Sequence, residues 1–344
     1  MKRKFSIVLV IALVMSLFVG CGNGTPADEQ VETVVWKVAF EEIEGGTQDL
    51  YAKKFEELIE AKFEGRVDVE LYPAGQLGFG SAQIELLKAG GVEFMLNYAA
   101  AVATTIPETQ VLSLNFMFSE DPEVNMKVLN NGEGVKKLDE LFLANDMVSL
   151  HWHNLGFMHW TSNRPLDSMD NFKGFKMRTM ASPVIIENYK ALGANPTPVP
   201  FMEVYSSLQL KMIDGQENPI TAIQEMKFYE VQDYLTLSKH GILPGNLVAN
   251  VGFWNGLSDE DKELVRSVFP ELGEYIVGAQ KNLTEERLQK IKDSSEIQVV
   301  ELAPEIRAIY AEASLPVRDK FIEETGERGK EILDLFLKDL EIYK

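Results

Sequence analysis

Residues 36–72, WKVAFEEIEGGTQDLYAKKFEELIEAKFEGRVDVELY, decide the fold class of this chain. The segment WKVAF (36–40) predicts a strand, and residues 67–72 alternate apolar and polar side chains as a second strand does. Between them, residues 46–63 carry large apolar side chains every four residues: Tyr51, Phe55, Ile59 and Phe63. That spacing places them on one face of a helix, with the charged residues left for solvent.

The same alternation continues towards the C-terminus. A loop of turn formers (73–78) leads to a predicted helix (81–89) and a buried strand (92–96). This β-α-β-α-β order predicts a mostly parallel sheet with helices on both faces. Further helices are predicted at 122–144, 183–192 and 201–211, and further strands at 147–153, 157–163, 175–178, 234–237 and 247–254. From Ser258, which forms an N-terminal capping pair with Asp261, almost all of the chain is predicted helical, with a break or kink at Pro270.

Length and charge restrict the function. The chain has 344 residues, of which 45% are hydrophobic and 25% charged, as expected for a soluble globular protein of roughly two domains. Its formal net charge of −20 argues against a nucleic-acid partner. With a single cysteine, Cys21, it has no intramolecular disulfide and no thiolate metal cluster.

The N-terminus predicts export. A basic start, Lys2-Arg3-Lys4, precedes an apolar stretch (5–19) that is too short to span a membrane as a helix, so residues 1–20 are interpreted as a signal peptide. Gly20 and Cys21 resemble the end of a bacterial lipobox, in which the cysteine becomes the acylated N-terminus. Residues 21–32 then form a small, polar, lipid-anchored linker. The alternatives are plain secretion or a retained anchor.

The sequence lacks the common motifs of catalysis and metal binding. It contains no GxGxxG, GxxxxGK[ST], GxSxG or HExxH pattern. His151 and His153 share one face of a predicted strand, and we interpret them as packing and hydrogen-bonding groups rather than metal ligands. The acids Glu41, Glu42 and Glu44 are most simply solvated charge. We therefore expect no catalytic residue, no metal and no cofactor.

Seven segments carry a family resemblance. They are LYPAGQLG (71–78), TSNRPL (161–166), FKGFKMR (172–178), GANPTPVPF (193–201), EVY (203–205), DGQENP (214–219) and KFYEVQ (227–232). In this order and spacing the chain resembles the DctP-like substrate-binding proteins of tripartite ATP-independent periplasmic (TRAP) transporters, over about residues 34–340.

The resemblance implies a fold and a partner. The fold is a two-lobed, periplasmic-binding-protein-like α/β structure with a ligand cleft between the lobes and a long helix that braces both. Lobe I is expected at 33–155 plus about 244–283, and lobe II at 156–243 plus about 284–344. Such proteins hand a small organic acid to membrane permease subunits driven by an ion gradient. The chain would then work outside the cytoplasm, in the periplasm or anchored to the outer face of the cytoplasmic membrane.

The resemblance also assigns site residues. Arg178 is expected to grip the ligand carboxylate, because a guanidinium offers a planar fork of donors that matches a carboxylate. Asn218 should face the ligand, and Phe201 should line the cleft. Glu41 and Tyr98 occupy pocket positions whose residue varies with the substrate.

One departure from the family pattern bears on the substrate. Many relatives have a second arginine after a Gly-Phe or similar pair, whereas here Gly156-Phe157 is followed by Met158. A thioether cannot pair with a second carboxylate. This favours a monocarboxylate with an apolar or hydroxylated body, contacted further by Tyr98, Trp160 or a histidine.

Two other functions fit the same fold. The chain could serve a sensor kinase rather than a permease, which the neighbouring genes would distinguish. It could also be a secreted enzyme on a similar scaffold, although no catalytic motif supports that reading.

Overall fold

Two β-sheets organise the part of the chain that the computed structural model describes, residues 33–344. The predicted signal peptide and Cys21 lie outside the described residues. The strands are β1 (Val34–Ala39), β2 (Val67–Tyr72), β3 (Phe94–Tyr98), β4 (Met147–Phe157), β5 (His159–Ser162), β6 (Lys176–Thr179), β7 (Asn195–Pro198), β8 (Gly215–Asn218), β9 (Tyr234–Leu237), β10 (Ile242–Asn250) and β11 (Gln298–Glu301).

Helices cover both sheets. They are α1 (Thr47–Phe63), α2 (Ser81–Lys88), α3 (Ala99–Val102), α4 (Pro122–Asn131), α5 (Glu133–Ala144), α6 (Met169–Phe172), α7 (Pro183–Ala191), α8 (Val204–Gln209), α9 (Ile220–Glu225), α10 (Val251–Gly256), α11 (Asp259–Ser267), α12 (Phe269–Ser294), α13 (Pro304–Ser314) and α14 (Val317–Tyr343). Short 3₁₀ helices lie at Pro107–Ser113, Phe201–Glu203 and Phe228–Glu230.

The first sheet has the strand order β2-β1-β3-β10-β4. Strand β1 is parallel to β2 and β3, as the β-α-β-α-β pattern predicts, but β10 is antiparallel to both β3 and β4. The sheet is therefore mixed rather than mostly parallel. The reason is the route of the chain: β10 enters from the second sheet, at the edge where β3 and β4 end, and so must run opposite to them.

The second sheet has the order β11-β9-β5-β8-β6-β7. Strand β6 is parallel to β7 and β8, whereas β5 is antiparallel to β8 and β9. Each sheet has an apolar cluster on either face, built from its inward side chains and the helices that cover it. This α/β architecture of two sheets confirms the predicted fold class.

The chain crosses between the sheets at two short links. Met158 alone separates β4 from β5, and residues 238–241 connect β9 to β10. Gly156, beside the first link, has φ +134°, and a Cβ there would lie 2.9 Å from Gln280 Nε2 and 3.1 Å from Pro219 Cβ. Both the backbone conformation and the space therefore favour glycine at this position.

Two long helices also join the sheets. Helix α12 buries Leu272 and Ile276 in a cluster of the first sheet and Ile291 in a cluster of the second. Helix α14 packs on α4 and α5, beside the first sheet, and also contacts α7. The exact lobe boundaries, including the placement of residues 284–344 in lobe II, stay a prediction.

Several elements differ from the sequence predictions. The predicted helix 122–144 is two helices, α4 and α5, separated at Gly132. The predicted strand 247–254 ends at Asn250, whose side chain accepts a hydrogen bond from Phe253 N and starts helix α10. Ser258 caps α11 through Asp261 N as predicted, and a new helix begins beside Pro270.

Candidate functional site

The carboxyl ends of strands from both sheets converge on the edge where the chain crosses. In the first sheet, Tyr98 at the end of β3 pairs with Gly245 at the start of β10. In the second, Asn218 at the end of β8 pairs with His159, the first residue of β5. Strand β6 is parallel to β8, so its carboxyl end points the same way. Ligands of open α/β sheets bind outside such ends, which makes this edge the candidate site.

Arg178 lies on β6 and is 3% exposed. Its Nε donates to the Val199 carbonyl oxygen at 2.9 Å. Among residues 33–344, no protein acceptor lies within hydrogen-bonding distance of its two terminal nitrogens, and no carboxylate lies within 4.0 Å. Burial lowers the pKa of the guanidinium to about 10, although the Glu217 carboxylate acts in the opposite direction. The fork is therefore buried, cationic and open to an anion.

Asn218 shares a sheet face with Arg178. Met177 pairs with Gly215, so alternation along parallel strands puts Arg178 level with Gln216, on the same face as Gln216 and Asn218. Gln216 Nε2 donates to Thr161 Oγ1 at 3.0 Å, and its Oε1 accepts from Asn218 Nδ2. This chain of amides fixes the Asn218 side chain and leaves its carbonyl oxygen for another donor.

Phe201 begins the 3₁₀ helix after the proline-rich segment and is 38% exposed. Its ring centroid lies 6.0 Å from Arg178 Cζ and 6.1 Å from the Phe228 ring, which it meets edge-on. An apolar ring beside the open guanidinium limits the water around it. That arrangement suits a ligand with an apolar body next to its carboxylate.

Glu41 and Glu42 follow β1 at the same edge. Glu41 Oε1 accepts from Gly80 N at 2.7 Å, and Glu42 Oε2 accepts from Gln48 N at 2.7 Å. Tyr98 donates from its hydroxyl to Glu42 Oε1 at 3.4 Å. Burial raises the pKa of Glu41 and raises that of Glu42 to about 7. The interpretation of Glu42 as solvated charge is therefore wrong, because the turn folds its carboxylate back onto the start of α1.

Met158 occupies the first link between the sheets and is 6% exposed. Its backbone N–H donates to the Gly241 carbonyl oxygen at 2.8 Å, which ties the two links together. The first link thus holds a buried thioether.

Trp160 is not on the face that carries Arg178. It pairs with Glu217, and both point to the opposite side of the second sheet. The indole is 0% exposed, its Nε1 donates to the Tyr189 hydroxyl at 2.8 Å, and its ring stacks on His240 with centroids 4.6 Å apart. The structure therefore brings together Arg178, Asn218 and Phe201 at one edge, with Glu41 and Tyr98 at the facing edge, and places Trp160 in the core behind them.

Sequence reasoning missed a buried polar network behind the site. Glu217 Oε2 accepts from the Tyr189 hydroxyl and lies 2.7 Å from His240 Nε2. His240 Nδ1 lies 2.7 Å from Ser238 Oγ, on the second link between the sheets. Burial lowers the pKa of His240. The segment DGQENP contains Glu217 and forms β8. Its residues are polar, and polar residues do not predict a buried strand.

Comparison with a family model gives a match over most of the chain. The model of the DctP family, described as bacterial extracellular solute-binding protein, family 7, matches residues 41–325. The ectoine-binding periplasmic protein TeaA of Halomonas elongata is 33% identical over 335 residues, covering 97% of this chain and 96% of that protein. The C4-dicarboxylate-binding periplasmic protein DctP of Rhodobacter capsulatus is 35% identical over 276 residues, covering 80% of this chain and 82% of that protein.

Solved structures of similar proteins have the same fold. The open apo structure of a TRAP periplasmic solute-binding protein from Marinobacter aquaeolei VT8 superposes with a TM-score of 0.85 at 36% identity, covering 88% of this chain and 100% of that one. Among the residues that the structure describes, no helix is both long and apolar enough to cross a membrane.

Proposed function

Since this chain belongs to the bacterial extracellular solute-binding proteins of family 7, the substrate-binding proteins of TRAP transporters, we propose that it captures a small organic acid by its carboxylate and delivers it to a TRAP-type permease. The members of this family that it resembles are solute-binding proteins rather than enzymes. The observation that carries the proposal is the buried Arg178 fork, whose two terminal nitrogens make no hydrogen bond and have no carboxylate within 4.0 Å among residues 33–344.

The physical argument concerns the cost of a buried charge. Taking a guanidinium out of water is unfavourable unless a counter-charge and hydrogen bonds compensate it. Val199 satisfies one nitrogen, and the two terminal nitrogens form the parallel pair of donors that a carboxylate accepts. A ligand carboxylate supplies what the protein itself does not, and Asn218 and Phe201 stand beside the place it would take.

The proposal specifies one carboxylate rather than two. The position that is arginine in many relatives is Met158, which offers no hydrogen-bond donor to an anion. Tyr98 and the acids at the end of β1 face the ligand from the other sheet, and acids repel a second carboxylate. A monocarboxylate therefore fits this cleft better than a C4-dicarboxylate does.

We further propose that the mature protein is held at the outer face of the cytoplasmic membrane by a lipid on Cys21, with residues 22–32 as the tether. The apolar stretch before Gly20-Cys21 supports this. Metabolic labelling with palmitate in the native host checks it: the natural chain should incorporate label, and label retained in a Cys21→Ser variant would contradict it.

Arg178 gives the decisive test of carboxylate binding. The mature protein is screened by thermal unfolding against lactate, pyruvate, succinate, galactonate, pipecolate and ectoine. Binding to the folded state alone stabilises it by about 2.7 kcal/mol at a ligand concentration of 100 Kd, which raises Tm. In Arg178→Ala that rise should disappear. In Arg178→Lys most of it should disappear, because an ammonium lacks the planar fork.

The matched control is Arg66→Ala. Arg66 is exposed and pairs with Asp261 at 2.9 Å, just before the amino end of β2, whereas the candidate site lies at the carboxyl ends of the strands. This surface pair contributes about 0–1 kcal/mol, so the variant should keep the full ligand-induced rise. An undiminished rise in Arg178→Ala would refute the role of Arg178.

A further inference from the structure

Arg307 on α13 donates hydrogen bonds to the second link between the sheets, residues 238–241. Its Nη1 donates to the Ser238 carbonyl oxygen, and its Nη2 donates to the Lys239 carbonyl oxygen at 3.1 Å. The planar guanidinium presents these two donors in a fixed fork. One side chain therefore satisfies two successive carbonyl groups in a segment that belongs to neither β9 nor β10.

The same guanidinium contacts the loop 114–121, which leads into α4. Its Nε lies 2.8 Å from Glu120 Oε1, and its Cζ lies 5.1 Å from the centroid of the Phe116 ring. Met117 and Phe118 of this loop are buried in an apolar cluster of the first sheet. Arg307 therefore connects the second link to the layer that covers the first sheet.

Helix α13 fixes the position of Arg307 on the second sheet. Tyr310, one turn further along α13, is 0% exposed and belongs to an apolar cluster of that sheet. Its hydroxyl donates to the Leu166 carbonyl oxygen at 3.2 Å. The guanidinium thus starts from an anchored helix and joins three parts of the molecule: the second sheet, the second link and the loop beside the first sheet.

The two segments that Arg307 contacts have an unusual backbone conformation. Lys239 has φ +43° and Phe116 has φ +58°, in the left-handed region that residues with a Cβ rarely adopt. Phe116 N donates to the His240 carbonyl oxygen at 2.6 Å, so the two segments are also bonded to each other. Such conformations persist only where the surrounding contacts fix them, and Arg307 supplies contacts to both.

A ligand enters the cleft only if the two sheets move apart. Arg178 is 3% exposed and Asn218 is 8% exposed, so a carboxylate from solvent does not reach them otherwise. Hinge motions of this kind are absorbed by a few residues in the connecting segments. The conformations available to residues 238–241 therefore help to set the range of orientations that the sheets can take.

We propose that Arg307 is a positioning residue of the hinge, which restrains the second link and so preorganises the two edges of the cleft for the ligand. It acts through the backbone of the link, since its polar contacts are Ser238, Lys239 and Glu120. The effect on binding rests on the proposed function, whereas the restraint of the link does not. A link that is already ordered does not have to be ordered when the ligand binds, which favours affinity.

The hydrogen bonds to the link, rather than the ion pair with Glu120, carry this restraint. The Glu120 side chain is 53% exposed, and exposed ion pairs contribute little. Hydrogen bonds from a charged donor to carbonyl groups of the link are stronger and act directly on the segment that turns. Glu120→Gln should therefore have a much smaller effect than Arg307→Ala.

Spin labels measure the restraint without any ligand. The mature protein with Cys21→Ser has no other cysteine, so labels are attached at Lys127→Cys on α4 and at Lys173→Cys beside the second sheet, both exposed positions. Double electron–electron resonance then gives the distribution of distances between them. The distribution should be broader in Arg307→Ala than in wild type and should stay unchanged in Arg66→Ala. In Arg307→Lys, which has one ammonium instead of the fork, it should lie between the two.

Calorimetric titration measures the effect on binding, with ectoine, succinate and galactonate as probes. Each probe that binds the wild-type mature protein should bind Arg307→Ala about tenfold more weakly, which corresponds to ordering the backbone of about one further residue on binding. Glu120→Gln and Arg66→Ala should change Kd by no more than about twofold. Unliganded Tm values confirm that each variant is folded.

The outcomes separate the restraint from the proposed function. An unchanged distance distribution in Arg307→Ala would refute the restraint, and a broader distribution with an unchanged Kd would refute its role in binding. An equal loss of affinity in Glu120→Gln would assign the effect to the ion pair and overturn the role of the link. If Arg307→Ala does not fold, a wild-type distribution in Arg307→Lys would overturn the inference instead. If no probe binds, the proposed function is what fails, and the spin labels still decide the restraint.

Discussion

The Tyr189 hydroxyl is the centre of the buried polar network that lies behind the cleft. It accepts from Trp160 Nε1 and donates to Glu217, which also contacts His240. All four side chains are at most 5% exposed. Because the network includes residues from α7, β5, β8 and the second link, it holds the crossing point of the chain in one arrangement.

Tyr189→Phe should destabilise the protein by about 1–3 kcal/mol, because a buried indole N–H and a buried carboxylate each lose a partner. Urea unfolding of the mature protein measures the change. The control is Tyr205→Phe, whose hydroxyl donates to Glu230 at the surface and should change stability by no more than about 0.5 kcal/mol. Equal effects of the two substitutions would contradict a structural role for the network.

At the residue scale, chemistry was predictable and orientation was not. The family resemblance of the segment FKGFKMR identifies Arg178, and a guanidinium has the planar pair of donors that a carboxylate accepts, so its binding role stays a prediction. The sequence did not indicate that Trp160 faces the core or that the Glu42 carboxylate folds back onto the start of α1, for one reason. A single position along a strand or turn decides which face a side chain takes, and the pairing with a distant strand sets that position.

Helix α14 stabilises the start of α5 through a contact between residues 205 positions apart in the sequence. Asp339 on α14 is 3% exposed, and its Oδ2 accepts from Gly134 N, in the first turn of α5, at 2.8 Å. The residue before α5 is Gly132, which has no side chain to cap the helix. A carboxylate at a helix N-terminus also interacts favourably with the helix dipole.

Asp339→Ala should therefore cost about 1–2 kcal/mol of stability, as the loss of an N-terminal cap does. Chemical denaturation followed by circular dichroism measures it. Asp334→Ala, on the same helix, removes only an exposed pair with Lys330 and should cost about 0.5 kcal/mol or less. A loss at Asp339 no larger than that at Asp334 would rule out capping across the two helices.

At the element scale, periodicity predicted most helices and strands of the first sheet. The strands that the sequence did not predict are those in which the local residue pattern and the tertiary surroundings favour different structures. Strand β8 consists of Gly215, Gln216, Glu217 and Asn218, which favour turns in isolation, yet all four are buried between β5 and β6. Gln216 has a hydrogen-bond partner on β5, and Glu217 has partners on α7 and in the second link, which no local pattern can indicate.

Buried titratable groups of opposite kinds control the pH response of the whole molecule. Burial lowers the pKa of His151 to about 4 and the pKa values of His153 and His159 to about 3. Their unfolded pKa is near 6.5, so the stability that these neutral histidines contribute is complete above pH 6.5 and is lost as the pH falls towards 4. Glu42, with a folded pKa of about 7 against 4.5, acts in the opposite sense.

Glu42→Gln should therefore make the loss of stability at acid pH steeper. Between pH 6.5 and 5, Glu42 is protonated in the folded state and ionised in the unfolded state, so it contributes stability as the pH falls. Removing it should steepen the decline by about 1.4 kcal/mol per pH unit relative to wild type. Urea unfolding at pH 6.5, 5.75 and 5 measures the slopes.

Glu44→Gln, at an exposed position of the same loop, should keep the wild-type slope. Superimposable slopes for wild type and Glu42→Gln would show that the Glu42 carboxyl is not desolvated in the folded protein.

The sequence by itself determined the α/β class and the family, and it identified the arginine that we propose as the carboxylate clamp. These conclusions depend on hydrophobic periodicity and on the order of local motifs, and both can be read without knowing which distant residues are in contact. Only the tertiary structure decided that the first sheet is mixed, that Trp160 faces the core, and that the Glu42 carboxylate accepts a hydrogen bond from Gln48 N at the start of α1. These outcomes depend on which strands pair and where the chain crosses between the sheets, and such pairings join residues far apart in the sequence.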